Sequence, residues 1–183
     1  EFAEFEYAAN ANDAEDVFEI DGKDALIEFA RIAGTFYPHT KAVVTAAIDM
    51  TGYDWKPIEG FGAYEFDGGE FAIKGLNAPL FDTLTANVKG LHLRNVNINE
   101  TVRPNVGSLA RWLRASKVGE AIAKPLISHC STTGQITIEC NEFTYDANRE
   151  LAAYGPFSAG GLIATCLTAD IEDCVNDIDM DIK

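Results

Sequence analysis

From Phe66 to Ile98 this chain is a succession of short apolar runs, nearly all closed by Gly, Asp, Asn or Pro. Phe66-Asp-Gly-Gly-Glu-Phe-Ala-Ile-Lys-Gly-Leu76, Pro79-Leu-Phe81 and Val88-Lys-Gly-Leu-His-Leu-Arg-Asn-Val-Asn-Ile98 read as β-strands separated by turns. Similar pieces return at Ile127-Ser-His-Cys130 with Gly134-Gln-Ile-Thr-Ile138, and at Ile171-Glu-Asp-Cys174 with Ile178-Asp-Met-Asp-Ile182. Recurrence of this kind marks a stacked, repeating architecture. Cys130 and Cys174 lie 44 positions apart, and the same offset superposes Ile127 on Ile171, Ile136 on Met180 and Ile138 on Ile182. Gly107-Ser-Leu-Ala110 and Gly161-Leu-Ile-Ala164 make a second, looser pair.

The expected fold is all-β, a single-stranded parallel β-helix in which equivalent residues of successive coils stack at the inter-strand spacing of about 4.8 Å. Inward Leu, Ile, Val and Cys then form apolar ladders and outward polar residues meet water. Gly and Asn are needed at the corners, where the backbone enters the left-handed region. Helices are hard to place beyond Phe71, except near Leu109-Ala-Arg-Trp-Leu-Arg114.

The amino-terminal part differs. Residues 1–20 are acidic with little sustained period and read as an irregular lead-in. A β-helix domain is expected over 21–183, with a short capping helix at about 24–33 and coils over about 42–183. Leu26, Phe29, Ala30 and Ala33 fall at helical spacing, Asp24 is placed as N-cap, and Gly34 sits where a helix would stop. Such a helix would cover the apolar cross-section of the first coil.

Charge narrows the classes of partner. The 183 residues carry 29 acidic against 14 basic side chains, a formal net charge of -15, which repels phosphate backbones and anionic membranes. Nucleic-acid binding is excluded on that ground, and acidity is read as a soluble surface. No stretch reaches the roughly 18 to 20 apolar residues of a membrane helix. The chain opens without Met or a leader, which fits a processed protein or an excised piece of a longer one.

Taken together, Phe66-Asp-Gly-Gly with Ile73 and Gly75-Leu76, Leu80-Phe81, Val88 with Gly90-Leu-His-Leu93, Asn95-Val96, Gly107 with Leu109-Ala110, Cys130 with Gly134, and Gly161-Leu162 resemble the GLUG-type repeats of bacterial surface proteins. Ala47-Ile-Asp-Met50, Gly52 and Trp55-Lys-Pro-Ile58 resemble the segment leading into such repeats. The similarity covers roughly residues 21 to 183. It implies a right-handed parallel β-helix, secreted or anchored at the surface of Bacteroidetes-type cells, serving adhesion or display. Gly107-Ser108 replaces the usual paired glycines, and Ala78-Pro79 interrupts the run before Leu80-Phe81.

Sites are weighed residue by residue. Cys130 and Cys174 occupy equivalent inward positions, where buried thiols are favoured over a bridge, while Cys140 and Cys166 stay open. No Cys-x-x-Cys spacing exists and His39, His92 and His129 stand apart, so zinc is not expected. Parallel β-helices also host lyases and glycosidases; the candidates for such chemistry are Asp49, Asp67, Arg94 and Arg103. Asp67 before Gly68 is explained as turn chemistry, and Arg94 as an outward strand residue. No catalytic residue is assigned and no cofactor is implied.

For calcium the weak candidates are Asp177, Asp179 and Asp181, whose setting lacks the loop glycine and closing Glu of a known calcium motif. For glycans the candidates are Tyr53, Trp55, Tyr64 and Trp112, whose rings could stack on sugars. The Asn99-Glu-Thr101 sequon carries no weight here. The expectation is a non-enzymatic, extracytoplasmic adhesion or display module. A glycan-binding module and a polysaccharide-active enzyme are the alternatives, with host or bacterial glycans or surface proteins as partners and end-to-end self-association through the last coil.

Overall fold

The computed structural model describes residues 17–33, 41–61, 65–101, 105–118, 121–139 and 158–182. The chain enters through β1 (Val17–Ile20) and then the helix α1 (Lys23–Ile32). The helix starts one residue ahead of the expected span, and its N-cap is Gly22, with no side-chain cap bond; Asp24 lies instead in the first turn. There its carboxylate faces the positive end of the helix dipole, while Arg31 sits in the last turn. Leu26 and Phe29 are the buried face of α1.

Among the described residues after α1 the regular elements are all strands. A six-stranded sheet orders β1, β2 (Lys41–Val44), β4 (Glu65–Asp67), β7 (Asn87–Lys89), β13 (Leu126–Ser128) and β17 (Asp170–Glu172). A five-stranded sheet orders β3 (Ile48–Asp49), β5 (Ala72–Lys74), β8 (His92–Glu100), β14 (Ser131–Ile138) and β18 (Val175–Ile182). A three-stranded sheet orders β6 (Phe81–Leu84), β10 (Ala110–Leu113) and β16 (Ile163–Cys166). Two small sheets pair β9 (Asn105–Val106) with β15 (Ser158–Ala159) in parallel, and β11 (Ser116–Val118) with β12 (Ala121–Ala123) antiparallel.

The single β-helix expected from the repeats, right-handed by the resemblance, is therefore corrected. The described strands are divided among five separate sheets, one of them antiparallel, beside an α-helix. The reason is that a repeated apolar strand with a Gly or Asn turn specifies local pairing and register. It does not specify how the paired strands are assembled into sheets.

The register itself follows the repeats. Ile127 pairs with Ile171, Ile136 with Met180 and Ile138 with Ile182, all parallel. The looser pair is displaced by one residue, because Ala110 lies opposite Ile163 rather than Ala164. The segment that could have been a helix, 109–114, holds the strand β10, with Ala110 against Phe81 on one side and Ile163 on the other.

Alternation along the strands builds the core. Leu91, Leu93, Val96 and Ile98 of β8 and its approach are buried while Asn95, Asn97 and Asn99 face water. At the amino-terminal end Phe29 meets Phe61 and Phe66, with ring centroids 5.4 and 5.6 Å away, and Phe61 stacks on Phe81 at 5.6 Å. All four rings are fully buried. Burial of each is worth about 1.5–3 kcal/mol, with a further increment for the ring geometry. Asp67 behaves as expected of a turn residue, its Oδ1 accepting the Gly69 N–H at 2.9 Å.

Candidate functional site

The loop after β3 sets one wall of a surface cleft. Asp49 Oδ1 accepts the Thr51 N–H at 3.0 Å and starts a tight turn, and the Tyr53 N–H then bonds Met50 O. Next the Trp55 N–H donates to Asn77 Oδ1 at 2.9 Å, and the indole Nε1 donates to Pro79 O at 3.1 Å. Trp55 is thus 2% exposed and ties the 53–59 loop to the 77–80 loop. Buried indoles need such a partner, which the Pro79 carbonyl supplies.

Across from this wall stands Arg111 of β10, whose side chain is 7% exposed. Its Nη1 and Nη2 each lie 3.0 Å from Glu100 Oε2, Nη1 also donates to Asn105 O at 2.8 Å, and Nε lies 3.4 Å from Asp82 Oδ1. Two carboxylates and a carbonyl offset the cost of burying the guanidinium. Between these walls is a cleft of about 440 Å³, lined by Asp54, Trp55, Lys56, Pro57, Glu59, Asn77, Ala78, Asp82, Ile98, Asn99, Glu100 and Arg111. A second hollow of about 450 Å³ shares Trp55, Lys56, Pro57 and Glu59 and reaches α1 through Ile27, Ala30 and Arg31, with Tyr53 at its side.

The first cleft is lined chiefly by charged and amide side chains. Four carboxylates face two basic groups, Lys56 is held by Asp54 at 2.7 Å, and Arg111 is committed to Glu100 and Asp82. Asn77 and Asn99 contribute amide groups to the lining, and Pro57, Ala78 and Ile98 contribute apolar surface. A cleft of this size, part apolar and ringed by amides and carboxylates, suits a polypeptide segment.

Of the aromatic candidates, Tyr53 and Trp55 come together at the second hollow, where Lys23 Nζ lies 4.8 Å from the Tyr53 ring. Trp112 sits elsewhere, in the three-stranded sheet opposite Thr83 and Thr165, and Tyr64 lies outside the described residues. Asp49 is paired with Lys74 and its carboxyl is held down at about 2, first by Thr51 and then by Lys74. Asp67 belongs to a different sheet, Arg94 donates to Leu93 O, and Arg103 lies outside the described residues. Asp177, Asp179 and Asp181 alternate along β18, and among the described residues no three His, Cys, Asp or Glu side chains gather as a metal set.

Two polar clusters escaped sequence reading. Lys41 and Lys89 flank Glu65 and Asp67 at 2.9–3.3 Å on three neighbouring strands. On the five-stranded sheet, His92 Nδ1 lies 2.7 Å from Ser131 Oγ and Nε2 lies 3.0 Å from Glu70 Oε2. The Glu70 carboxylate packs over Gly90, whose φ of +56° and missing Cβ make room for it. An acid, an imidazole and a hydroxyl are thereby connected, but the N–H groups of His92 and Ser131 are spent on Phe71 O and Leu91 O and neither can hold an oxyanion. Only the strand register, which sets Ser131 opposite His92, could have revealed this cluster.

Residues 46–123, less than half of the chain, match the family model described as the M26 IgA1-specific metallo-endopeptidase N-terminal region. No curated protein matches the chain in sequence. Among solved structures, the chain is similar to a candidate immunoglobulin A1 protease from Bacteroides ovatus, with a TM-score of 0.60 and 19% identity over 90% of this chain. This chain spans 63% of that one. At such identity the likeness is one of fold.

These findings correct the expected role. The matched family is a protease N-terminal region and not the GLUG-type repeats that the strand pattern resembles, so the adhesion or display module, with its glycan-binding and polysaccharide-active alternatives, is set aside. Strand-and-turn chemistry is common to both kinds of protein, which is why the residue pattern pointed to the wrong one. Among the described residues no helix is long and apolar enough to cross a membrane. Every residue that lines the first cleft lies within the stretch that matches the protease N-terminal region.

Proposed function

We propose that this chain is a non-catalytic module of an extracytoplasmic protease-type protein, and that its cleft between Trp55 and Arg111 holds a segment of the protein substrate. The observation that carries this reading is the coincidence of the whole cleft lining with the matched stretch 46–123. The cleft's amides and carboxylates would hold a polypeptide, and the buried Arg111 would keep the wall rigid by joining β10 to the end of β8. The similar candidate immunoglobulin A1 protease makes immunoglobulin A1 the protein to test.

The test measures binding of the chain to immobilised immunoglobulin A1, and compares it with Asn99→Trp, which fills the cleft from an exposed position. Saturable binding that weakens about tenfold in Asn99→Trp, with the immunoglobulin left intact in the presence of zinc, is the expected result. Absence of binding, or binding indifferent to Asn99→Trp, would overturn the cleft. Cleavage by the chain alone that a chelator abolishes would overturn its non-catalytic role.

A further inference from the structure

Cys130 and Cys174 occupy equivalent turns, Cys130 between β13 and β14 and Cys174 between β17 and β18. Ile127 pairs with Ile171 and Ser131 with Val175, so the register carries Cys130 to the position opposite Cys174. Backbone bonds on either side confirm the alignment: the His129 N–H donates to Glu172 O at 3.2 Å and the Val175 N–H to Cys130 O at 2.9 Å. The residue before each cysteine has the same left-handed backbone, φ 53° at His129 and 50° at Asp173. The two thiols consequently leave the chain in the same direction. Each donates to the carbonyl two residues back, Ser128 O and Glu172 O, at 3.2 Å.

The paired strands that flank these two turns run about 4.8 Å apart, inside the span of roughly 4.4–6.8 Å between the Cα atoms of bridged cysteines. Side chains that run parallel at this spacing can be joined after a small approach of the strands; vectors that diverge cannot. Burial pushes the Cys130 thiol up to about 12, and the adjacent Cys174 adds to the rise. Cys174 is half-buried and is the accessible member of the pair.

We propose that Cys130 and Cys174 are a modification site, closing into a reversible disulfide that pins the edge strands β17 and β18 to β13 and β14. The Cys174 thiolate attacks a small-molecule disulfide of the glutathione class, and one thiolate leaves. Cys130 then gives its proton to solvent and attacks the Cys174 sulfur, expelling the second thiolate. The pair loses two electrons and two protons, and the oxidant becomes two thiols. The need to deprotonate Cys130 makes closure slow, on the scale of minutes to hours. The proposal stands on the register of the flanking strands and the matching turn backbones, and does not depend on the protease reading.

The experiment uses a Cys140→Ser/Cys166→Ser background, so that only this pair can react, together with the unaltered chain as a control for folding. Both are held in oxidised glutathione, alkylated in denaturant and cut with trypsin, which separates the two cysteines at Arg149. The expected result is a peptide pair joined through Cys130 and Cys174, with a melting temperature about 5 °C or more above that of the reduced protein. Two alkylated thiols, or a glutathione adduct on Cys174 that never resolves, would overturn it. In the unaltered chain, a link from either cysteine to Cys140 or Cys166 in place of the 130–174 link would do the same.

Discussion

Glu65 and Lys89 meet across the neighbouring strands β4 and β7, with Oε1 2.9 Å from Nζ. The same Glu65 oxygen lies 3.2 Å from Lys41 Nζ on β2, and Asp67 Oδ2 lies 3.3 Å from both ammonium groups. Two cations and two anions close a ring over three strands. Three of the four side chains are about four-fifths covered, and Lys89 is the more exposed one.

The pH dependence of stability follows from this ring. Burial pushes the Asp67 carboxyl up, but the Gly69 N–H, Lys89 and Lys41 outweigh it and the group ends below its usual range. Its stabilisation is present above the unfolded carboxyl value of about 4 and is lost as pH falls through the folded one. Lys89 is raised, chiefly by Glu65; Lys41 is raised by Glu65 and Asp67 against the opposing effect of burial. Their contribution is complete below about pH 10 and is lost as pH rises through the folded values. The urea midpoint is therefore expected to be nearly flat from about pH 5 to 9 and to fall on both sides. Glu65→Gln should lower stability by about 1 kcal/mol at pH 7. A midpoint that climbs steadily from pH 5 to 9 would show that this ring is not what governs it.

Phe29 is the one helical ring in the aromatic cluster, and it touches Phe18, Phe61 and Phe66 with centroids 5.4–5.6 Å away. Phe29→Ala removes a fully buried ring from between α1 and the strands, at an expected cost of about 3–5 kcal/mol. Ile27→Ala, on the partly buried side of the same helix, should cost markedly less. Equal losses in chemical denaturation would mean that α1 is held by something other than its Phe29 face.

Register was legible in the sequence where apolar residues repeat without a gap. The offset of 44 is carried by Ile127, Ile136 and Ile138, each with a partner on the next strand, and a period of two cannot slip without turning those side chains to water. Residues 109–114 were ambiguous because Leu109, Trp112 and Leu113 satisfy a helical spacing as well as a strand; pairing with β6 and β16 decides the matter. The division into sheets was not legible, since no local pattern says where one sheet ends. The cleft was equally hidden. Trp55, Asn77, Glu100 and Arg111 are spread over more than fifty positions, and each alone reads as an ordinary loop or strand residue.

A long seam of the five-stranded sheet runs between β8 and β14, and Gly134 sits at its irregular point. Its φ is +137°, and a Cβ there would run into the backbone of Val96. The register shifts at this point: Thr132 is opposite Leu93 but Gly134 is opposite Val96, so β8 carries an extra residue. Asn95, with φ 50°, takes up that extra length and its N–H donates to Thr133 Oγ1 at 3.4 Å. Such a bulge needs the opposing backbone close at hand, which only glycine permits. Gly134→Ala should thus cost about 2 kcal/mol or more, from the strained dihedral and the clash together. Gly52→Ala is the control, because Gly52 also has a positive φ of +75° but has nothing within 4 Å of its missing Cβ. It should cost about 1 kcal/mol, from the dihedral alone. Equal losses in the two variants would show that backbone strain, and not the contact with Val96, sets the penalty at Gly134.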